Sequence, residues 1–416
     1  MLPIISRFPP FGKRFFRLVR KLIGSCHFQH FWRVVMALAS MHGRHSLNRM
    51  QDLFKNRRTR QAIADFLKKA AWDAPEVLRQ QALDMLKQLG CRPGDTVRLL
   101  LDDTQKRKRG KKMDALKKIF LHAEKVYGTG HTMVAAALVF RGVVIPFHVS
   151  LWAPKSFCKA SQRRPNPDDR IVFRKLTELG ADAIDAAPVP DGVKCITLFD
   201  AYYLCPTVTR ACQRNGFRYV GVAKKNRLFA PDGRPCDKRR LSQYGKNVLR
   251  REGRSVKVRE KKHRLAERVG RLSKLGRVKL VFSRRPNETC WIALATDETR
   301  WSASTVLSHY LNRWGIEVFF KMSKQYLGLG DYQLLRYRGI ERYLCLVLIA
   351  YLLLTHLALC GLDAQAKRGK KELRLPSIPQ LQETLRRKLL EDVIDSLATG
   401  KRYRSAARKI KEIFQP

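Results

Sequence analysis

Two hydrophobic rhythms divide the chain. Over residues 1 to about 95, apolar side chains recur every three or four positions, as in SLNRMQDLFKNRRTRQAIADFLKKAAW and APEVLRQQALDMLKQLG. That spacing lines one face of an α-helix. Pro75 suits the first turn of a helix and Gly90 its end. From Thr96 the apolar residues fall into short continuous runs, VRLLLDD, TMVAAALVF and VVIPFHVSLW, which predict strands. Arg141-Gly142 separates the last two as a tight hairpin turn. A helical stretch over 170–187 follows, then CITLFD, a second helix and FRYVGVAK. The expected order is β-β-β-α-β-α-β.

That order is the one found in a ribonuclease-H-like sheet. The expected fold class is therefore α/β, a ribonuclease-H-like mixed sheet interrupted by a β-rich insertion. A helical N-terminal domain, whose faces rich in Arg57, Arg58, Arg60, Lys68 and Lys69 suit it as a DNA-binding domain, and a helical C-terminal extension flank it. The divisions read as 1–95 for the N-terminal domain and 96–226 for the first part of the catalytic domain. The insertion occupies 227–300, the second catalytic part with a signature helix 301–365, and the basic helical extension 366–416. The insertion is inferred from short, Arg- and Lys-decorated runs such as GRVKLVFSRR and CWIALATDE. The uncharged stretch from Leu344 to Cys360 sits at the lower limit for a membrane span. Its His356, Thr355 and two cysteines favour a helix buried in a large core, so no membrane is expected.

Charge sharpens this picture. Lys plus Arg number 84 against 35 Asp plus Glu, a formal charge of +49 over 416 residues. Self-repulsion on that scale destabilises a compact chain, so a polyanionic partner is implied, and nucleic acid is the commonest. The basic residues are spread through the chain, which predicts a long binding surface. Ten scattered cysteines form no C-x2-C pair and no Cys/His cluster with zinc spacing. They read as reduced thiols of a cytosolic protein.

Four residues stand out within YLNRWGIEVFFKMSK: Tyr310, Arg313, Glu317 and Lys324. On one continuous helix they fall within roughly a 60° stripe. One carboxylate among two cations and an amphipathic ring suits a divalent metal and a phosphate meeting at one spot. The competing reading is a solvated helix face with an i,i+4 Arg–Glu pair. Two further carboxylates, Asp102 after LLL and Asp200 after ITLF, are expected at the C-terminal ends of the first and fourth strands. Those strands are neighbours in a ribonuclease-H-like sheet. Two strand-end carboxylates and one helix carboxylate can hold two divalent cations about 4 Å apart for in-line phosphoryl transfer. Mg²⁺ suits such ligands, with Mn²⁺ as a substitute.

With these residues the chain resembles the insertion-sequence transposases of the DDE class, in the bacterial group carrying the YREK signature. The signature is complete, and DDT from Asp102 and FDAYY from Asp200 resemble the two aspartate blocks. The likeness covers roughly residues 96 to 350. It implies that Asp102, Asp200 and Glu317 are catalytic metal ligands, with Asp103 as the fallback first ligand. It implies that Tyr310, Arg313 and Lys324 grip the phosphate backbone of the element's end. Trp291, in CWIALATDE, matches the place of an aromatic residue that stacks on a base flipped from the DNA end; a core tryptophan is the alternative. The implied partners are double-stranded DNA, both transposon ends and target, with a homodimer in the DNA complex. The implied location is the bacterial cytoplasm, at the nucleoid.

The expected function is a transposase that binds the terminal inverted repeats of its own element, cleaves DNA and transfers the strands. The alternatives are a stand-alone ribonuclease-H-like nuclease or resolvase and a non-catalytic DNA-binding descendant. Lys106 to Lys112, KRKRGKK, is expected either to clamp DNA or to form a solvated loop. His131 is expected to be a histidine of the core or one that supports the site from behind, with a direct catalytic role as the alternative.

Overall fold

The structure, a computed structural model, describes residues 5, 8–54, 58–122, 124–232, 236–361 and 372–398. Four helices open the chain: α1 (Gly12–Ser40), α2 (Leu47–Asp52), α3 (Arg60–Lys69) and α4 (Ala74–Gln88). The start of α4 follows from local chemistry. Asp73 accepts from the Glu76 amide at 2.9 Å and Pro75 occupies the first turn. α1 is two helices joined at Gly24, whose φ of 71° breaks the helix. Phe16 of the first half thereby reaches Phe28 and Phe31 of the second, with ring centroids 6.1 and 6.3 Å apart.

Next come β1 (Thr96–Arg107), β2 (Lys117–Leu121), β3 (Val126–Phe140) and β4 (Val143–Leu151). After α5 (Lys155–Ser161) the chain runs through α6 (Leu176–Asp185), β5 (Lys194–Phe199), α7 (Pro206–Arg214) and β6 (Arg218–Val222). β7 (Leu228–Pro231), β8 (Arg239–Arg240), α8 (Leu241–Glu252), β9 (Arg254–Val258), β10 (Lys261–Leu272), β11 (Gly276–Arg284) and β12 (Trp291–Thr296) follow. All twelve strands form one sheet, ordered β2-β3-β1-β5-β6-β12-β11-β10-β7-β8, with β4 on β3 and β9 on β10. β5 is parallel to both β1 and β6. This large mixed sheet, with helices against it, is consistent with the ribonuclease-H-like expectation.

Two strand expectations need correcting. β2 is an additional strand: five residues bearing two lysines carry too little apolar signal to be read from pattern. β1 also does not end at its aspartates. Its pairing with β5 stops at Leu101↔Phe199, while its pairing with β3 continues to Arg107↔Gly130. Backbone hydrogen bonds to β3 therefore carry the polar DDTQKR stretch as strand, without hydrophobic alternation.

α9 (Ala303–Tyr310), α10 (Trp314–Tyr326), α11 (Tyr337–Cys360) and α12 (Ile378–Ala398) complete the described elements. α11 is long and apolar enough to cross a membrane, yet 89% of its apolar window is buried inside the protein. It packs against α1, α3, α4, β4 and α12 as the central core helix. Gln382 of α12, fully buried, donates to the carbonyls of Ala39, Met41 and Tyr326, so one amide caps the ends of α1 and α10. Of the extension expected from 366, positions 366–371 and 399–416 lie outside the described residues. All ten cysteines are free thiols.

Glycine is required where β6 meets β5 beside Asp200. A Cβ on Gly221 would lie 2.3 Å from the Phe199 ring. Gly221→Ala should overpack this contact, costing about 1–3 kcal/mol. Equilibrium denaturation checks it; wild-type stability would show that the strands close without that approach.

Candidate active site

Side-chain alternation along β1 decides what each of its residues can meet. Leu100 points at Gly315 of α10, and Leu101 points at Gly180 of α6 on the opposite face. Asp102 follows Leu100 and Asp103 follows Leu101. Asp102 accordingly accepts from Arg313 Nη1 at 2.8 Å, while Asp103 accepts from the Tyr203 hydroxyl at 3.3 Å. The two adjacent aspartates meet different partners, Asp103 the turn after β5, and only Asp102 shares a face with the α10 residues.

Asp200 follows β5 and caps its own turn. One carboxylate oxygen accepts from the amides of Tyr202 and Tyr203 at 2.9 and 3.2 Å. Burial pushes the Asp102 carboxyl up to about 7; Arg313 opposes the shift, and Asp200 and Asp103 add to it. Burial, then Asp200, also raises Asp103.

Tyr310, Arg313, Glu317 and Lys324 do not lie on one helix. α9 ends at Tyr310, a 3₁₀ turn spans Leu311–Arg313, and α10 begins at Trp314. Asn312 supplies the physical reason, since its side-chain amide donates to the carbonyls of Ser308 and His309. Such local bonds compete with the regular helix. The backbone nevertheless stays right-handed through the turn, and three of the four residues converge. The Arg313 guanidinium bonds Asp102 and Glu317 together and lies 5.9 Å from the Tyr310 ring centroid. Lys324 is placed differently: Nζ donates to the Gln105 carbonyl at 2.8 Å, and burial, then Lys106, pushes it down to about 8.

Further contacts tie the loop after α10 to β1. Lys106 pairs with Asp331 at 3.2 Å. Lys108 donates to the carbonyls of Gly330 and Tyr332 at 2.7 and 2.9 Å, with its ammonium 3.4 Å from the Tyr332 ring centroid. His131, 1% exposed, bonds the Tyr332 hydroxyl and the Asp114 carbonyl. The basic run from 106 to 112 is thus divided. Lys106 and Lys108 turn inward as struts, and Arg107, Arg109, Lys111 and Lys112 are exposed. Pattern reading missed this strut set; its only sequence signal is the alternation of Lys and Arg from 106 to 109.

Trp291 opens β12 at 9% exposure. Its ring packs edge-on against Phe282 and lies where a Cβ on Gly245 would fall 2.6 Å away. Lys225 Nζ stands 4.5 Å from its centroid. In this arrangement Trp291 is a packed strand residue with one face under an ammonium.

An open cleft of about 690 Å³ borders the carboxylates, lined by Asp102, Asp103 and Asp200 on one side and Lys117, Lys118 and Phe120 on another. The carboxylate oxygens of this cleft are donors of the kind a hard divalent cation takes. Arg313 places a positive charge between Asp102 and Glu317. No group of three or more His, Cys, Asp or Glu among the described residues is spaced to hold a metal ion.

The strut set makes a pH-dependent prediction. Burial, then Lys106, pushes Lys108 down to about 7, against about 10.4 in an unfolded chain. The unfolded chain holds the proton more tightly, so this group's contribution makes stability rise between about pH 7 and 10. Wild type should gain about 1–3 kcal/mol on Lys108→Met across that window. Urea denaturation at several pH values checks this, and a constant difference would exclude a buried titrating amine.

A family model described as "DDE superfamily endonuclease" matches residues 28–280, a span that includes Asp102 and Asp200 and stops before Glu317. The cryo-EM structure of a piggyBac transposase synaptic complex with hairpin DNA is similar at 12% identity and a TM-score of 0.44. That likeness spans 98% of this chain and 81% of the other, and at so low a score it carries no argument. No curated protein matches the chain. The family match covers more than half of the 416 residues, and the chain belongs to the DDE superfamily endonucleases.

Proposed function

We propose that this endonuclease is a transposase of the YREK-signature group that binds the inverted repeats of its element, cleaves DNA and transfers the strands. One observation carries the reading: Arg313 joins Asp102 of β1 to Glu317 of α10, so the signature and the first aspartate block form one cluster. The Asp200 turn borders the same cleft as Asp102. The +49 charge supports a polyanionic substrate. A stand-alone nuclease would share the chemistry but not join strands, so strand-transfer products separate the two.

Asp102, Asp200 and Glu317 are the residues that would hold divalent metal, which serves this superfamily generally. Two such ions, Mg²⁺ by preference, would supply charge stabilisation for the attacking and leaving oxygens of phosphoryl transfer. Arg313 neutralises Asp102 and Glu317 and holds α10 against β1. Its planar fork, here divided between two carboxylates, could turn to grip one DNA phosphate with both nitrogens. Tyr310 walls the guanidinium. Lys324 fixes the far end of α10 to β1 and, when released from Gln105, would offer a second cation to the backbone. Trp291 would reach a flipped base only after Lys225 moves from its face. Pairing of two chains on DNA belongs to the same proposal.

Asp102→Ala, Asp200→Ala and Glu317→Ala should each lower single-turnover cleavage at least about a thousandfold. End binding should stay within about threefold, since the basic surface holds DNA. Substantial cleavage by Glu317→Ala in Mg²⁺ would overturn the assignment.

Arg313→Lys keeps the charge but cannot span two carboxylates, so it should impair cleavage well beyond its effect on gel-shift affinity. Near-normal cleavage would reduce Arg313 to a structural ion pair. Duplex affinity should fall with salt at a log–log slope of about −0.9 per phosphate contact, and a flat titration would exclude a backbone-dominated interface.

A further inference from the structure

The β2–β3 hairpin projects beyond the sheet beside the carboxylates and carries exposed aromatic surface that the folded chain leaves uncovered. Phe120, Val126 and Tyr127 are 38%, 43% and 70% exposed. Phe120 and Tyr127 are cross-strand partners, edge to face with centroids 5.2 Å apart, and His122 meets Phe120 at 5.3 Å. Lys117 and Lys118, both exposed, precede Phe120 on β2 and line the cleft that contains Asp102, Asp103 and Asp200, with Lys117 Nζ 5.2 Å from the Trp152 ring centroid. Tyr202, 45% exposed, lines the same cleft beyond Asp200.

The hairpin is held in place. Arg107, five residues beyond Asp102, pairs with Glu124 near its tip at 2.9 Å. The Gln105 side chain accepts from the His122 amide at 3.2 Å. The strand that bears the aspartates thus sets where the rings stand.

An exposed edge strand with aromatic surface would normally invite another protein strand, but lysines along it oppose such pairing. The same composition suits one ligand well. Rings take unpaired bases by stacking, and ammonium groups beside them take the phosphates between those bases. A duplex keeps its bases stacked on each other and cannot use the rings. A strand separated from its complement next to the carboxylates can.

We propose that the β2–β3 hairpin is a single-strand DNA-binding shelf, with Phe120 and Tyr127 stacking on bases and Lys117 and Lys118 holding their phosphates. It guides a strand end along the cleft to Asp102 and Asp200. The inference rests on the DNA-cleaving reading and extends it, because nothing in the signature or the aspartate blocks involves this hairpin.

The test uses the full chain without divalent metal and a short single strand carrying 2-aminopurine, alongside a duplex of the same sequence. Wild type should bind both and change the 2-aminopurine emission by stacking. Phe120→Ala/Tyr127→Ala should weaken single-strand binding about tenfold or more and abolish the emission change. Its duplex affinity should stay within about twofold. Phe120→Tyr/Tyr127→Phe should restore the emission change, which excludes a folding defect. Lys117→Ala/Lys118→Ala should reduce the single-strand salt slope by about 1.4. Wild-type-like single-strand binding by the double alanine variant overturns the shelf. Duplex binding by wild type without single-strand binding does the same while leaving the transposase reading intact. Failure to bind either form overturns both. Loss of self-association by the double variant with unchanged strand affinity would assign the rings to a chain–chain contact and also overturn the shelf.

Discussion

Carboxylates drawn into one partly buried cluster repel each other, and a cation between them is the constraint on which the rest of this structure depends. Here that cation is Arg313. Its guanidinium spans Asp102 on the sheet and Glu317 on the helix, both partners of a half-shielded cluster. Removing one partner of such a cluster leaves an uncompensated charge in low dielectric, which is far more damaging than losing a surface pair. Under the proposed function the same guanidinium would also meet DNA phosphate, so a structural and a chemical role would fall on one side chain.

Holding that cluster requires the helix and the strand to keep a fixed relation, and β1 achieves it by continuing past its aspartates. Gln105, Lys106 and Lys108 meet α10 and the following loop through Lys324, Asp331 and two backbone carbonyls. Arg107 and Gln105 meet the β2–β3 hairpin on the other side. One twelve-residue strand thus carries Asp102 and Asp103, braces the helix that bears Glu317 and aims the hairpin. Basic residues that composition would assign to DNA are divided by strand alternation between bracing and exposure.

The helical shell does the remaining work. α11, buried along nearly its whole length, gives α1, α4 and α12 a common apolar surface. Gln382 joins the ends of α1 and α10 through three carbonyls. The N-terminal helices are thereby bonded to the helix that bears Glu317, so a load on one reaches the other through buried polar contacts that are costly to break.

The sequence by itself determined the helical first quarter, the runs that became β1, β3, β4, β5 and β6, and the buried nature of the 344–360 segment. Each rests on local periodicity or on apolar runs long enough to dominate their surroundings. It also singled out Asp102, Asp200, Arg313 and Glu317 by type and spacing. It could not show β2, whose five residues are strand only because β3 offers them hydrogen bonds, nor the 3₁₀ break, which a single side-chain amide at Asn312 imposes. Whether Asp102 or Asp103 faces the signature helix was equally undecided, because two adjacent aspartates read alike until a sheet assigns them faces. The inward turn of Lys106, Lys108 and Lys324 was settled only by tertiary contacts. A lysine's partner is a carbonyl or carboxylate some 200 residues away, and no local pattern encodes that distance.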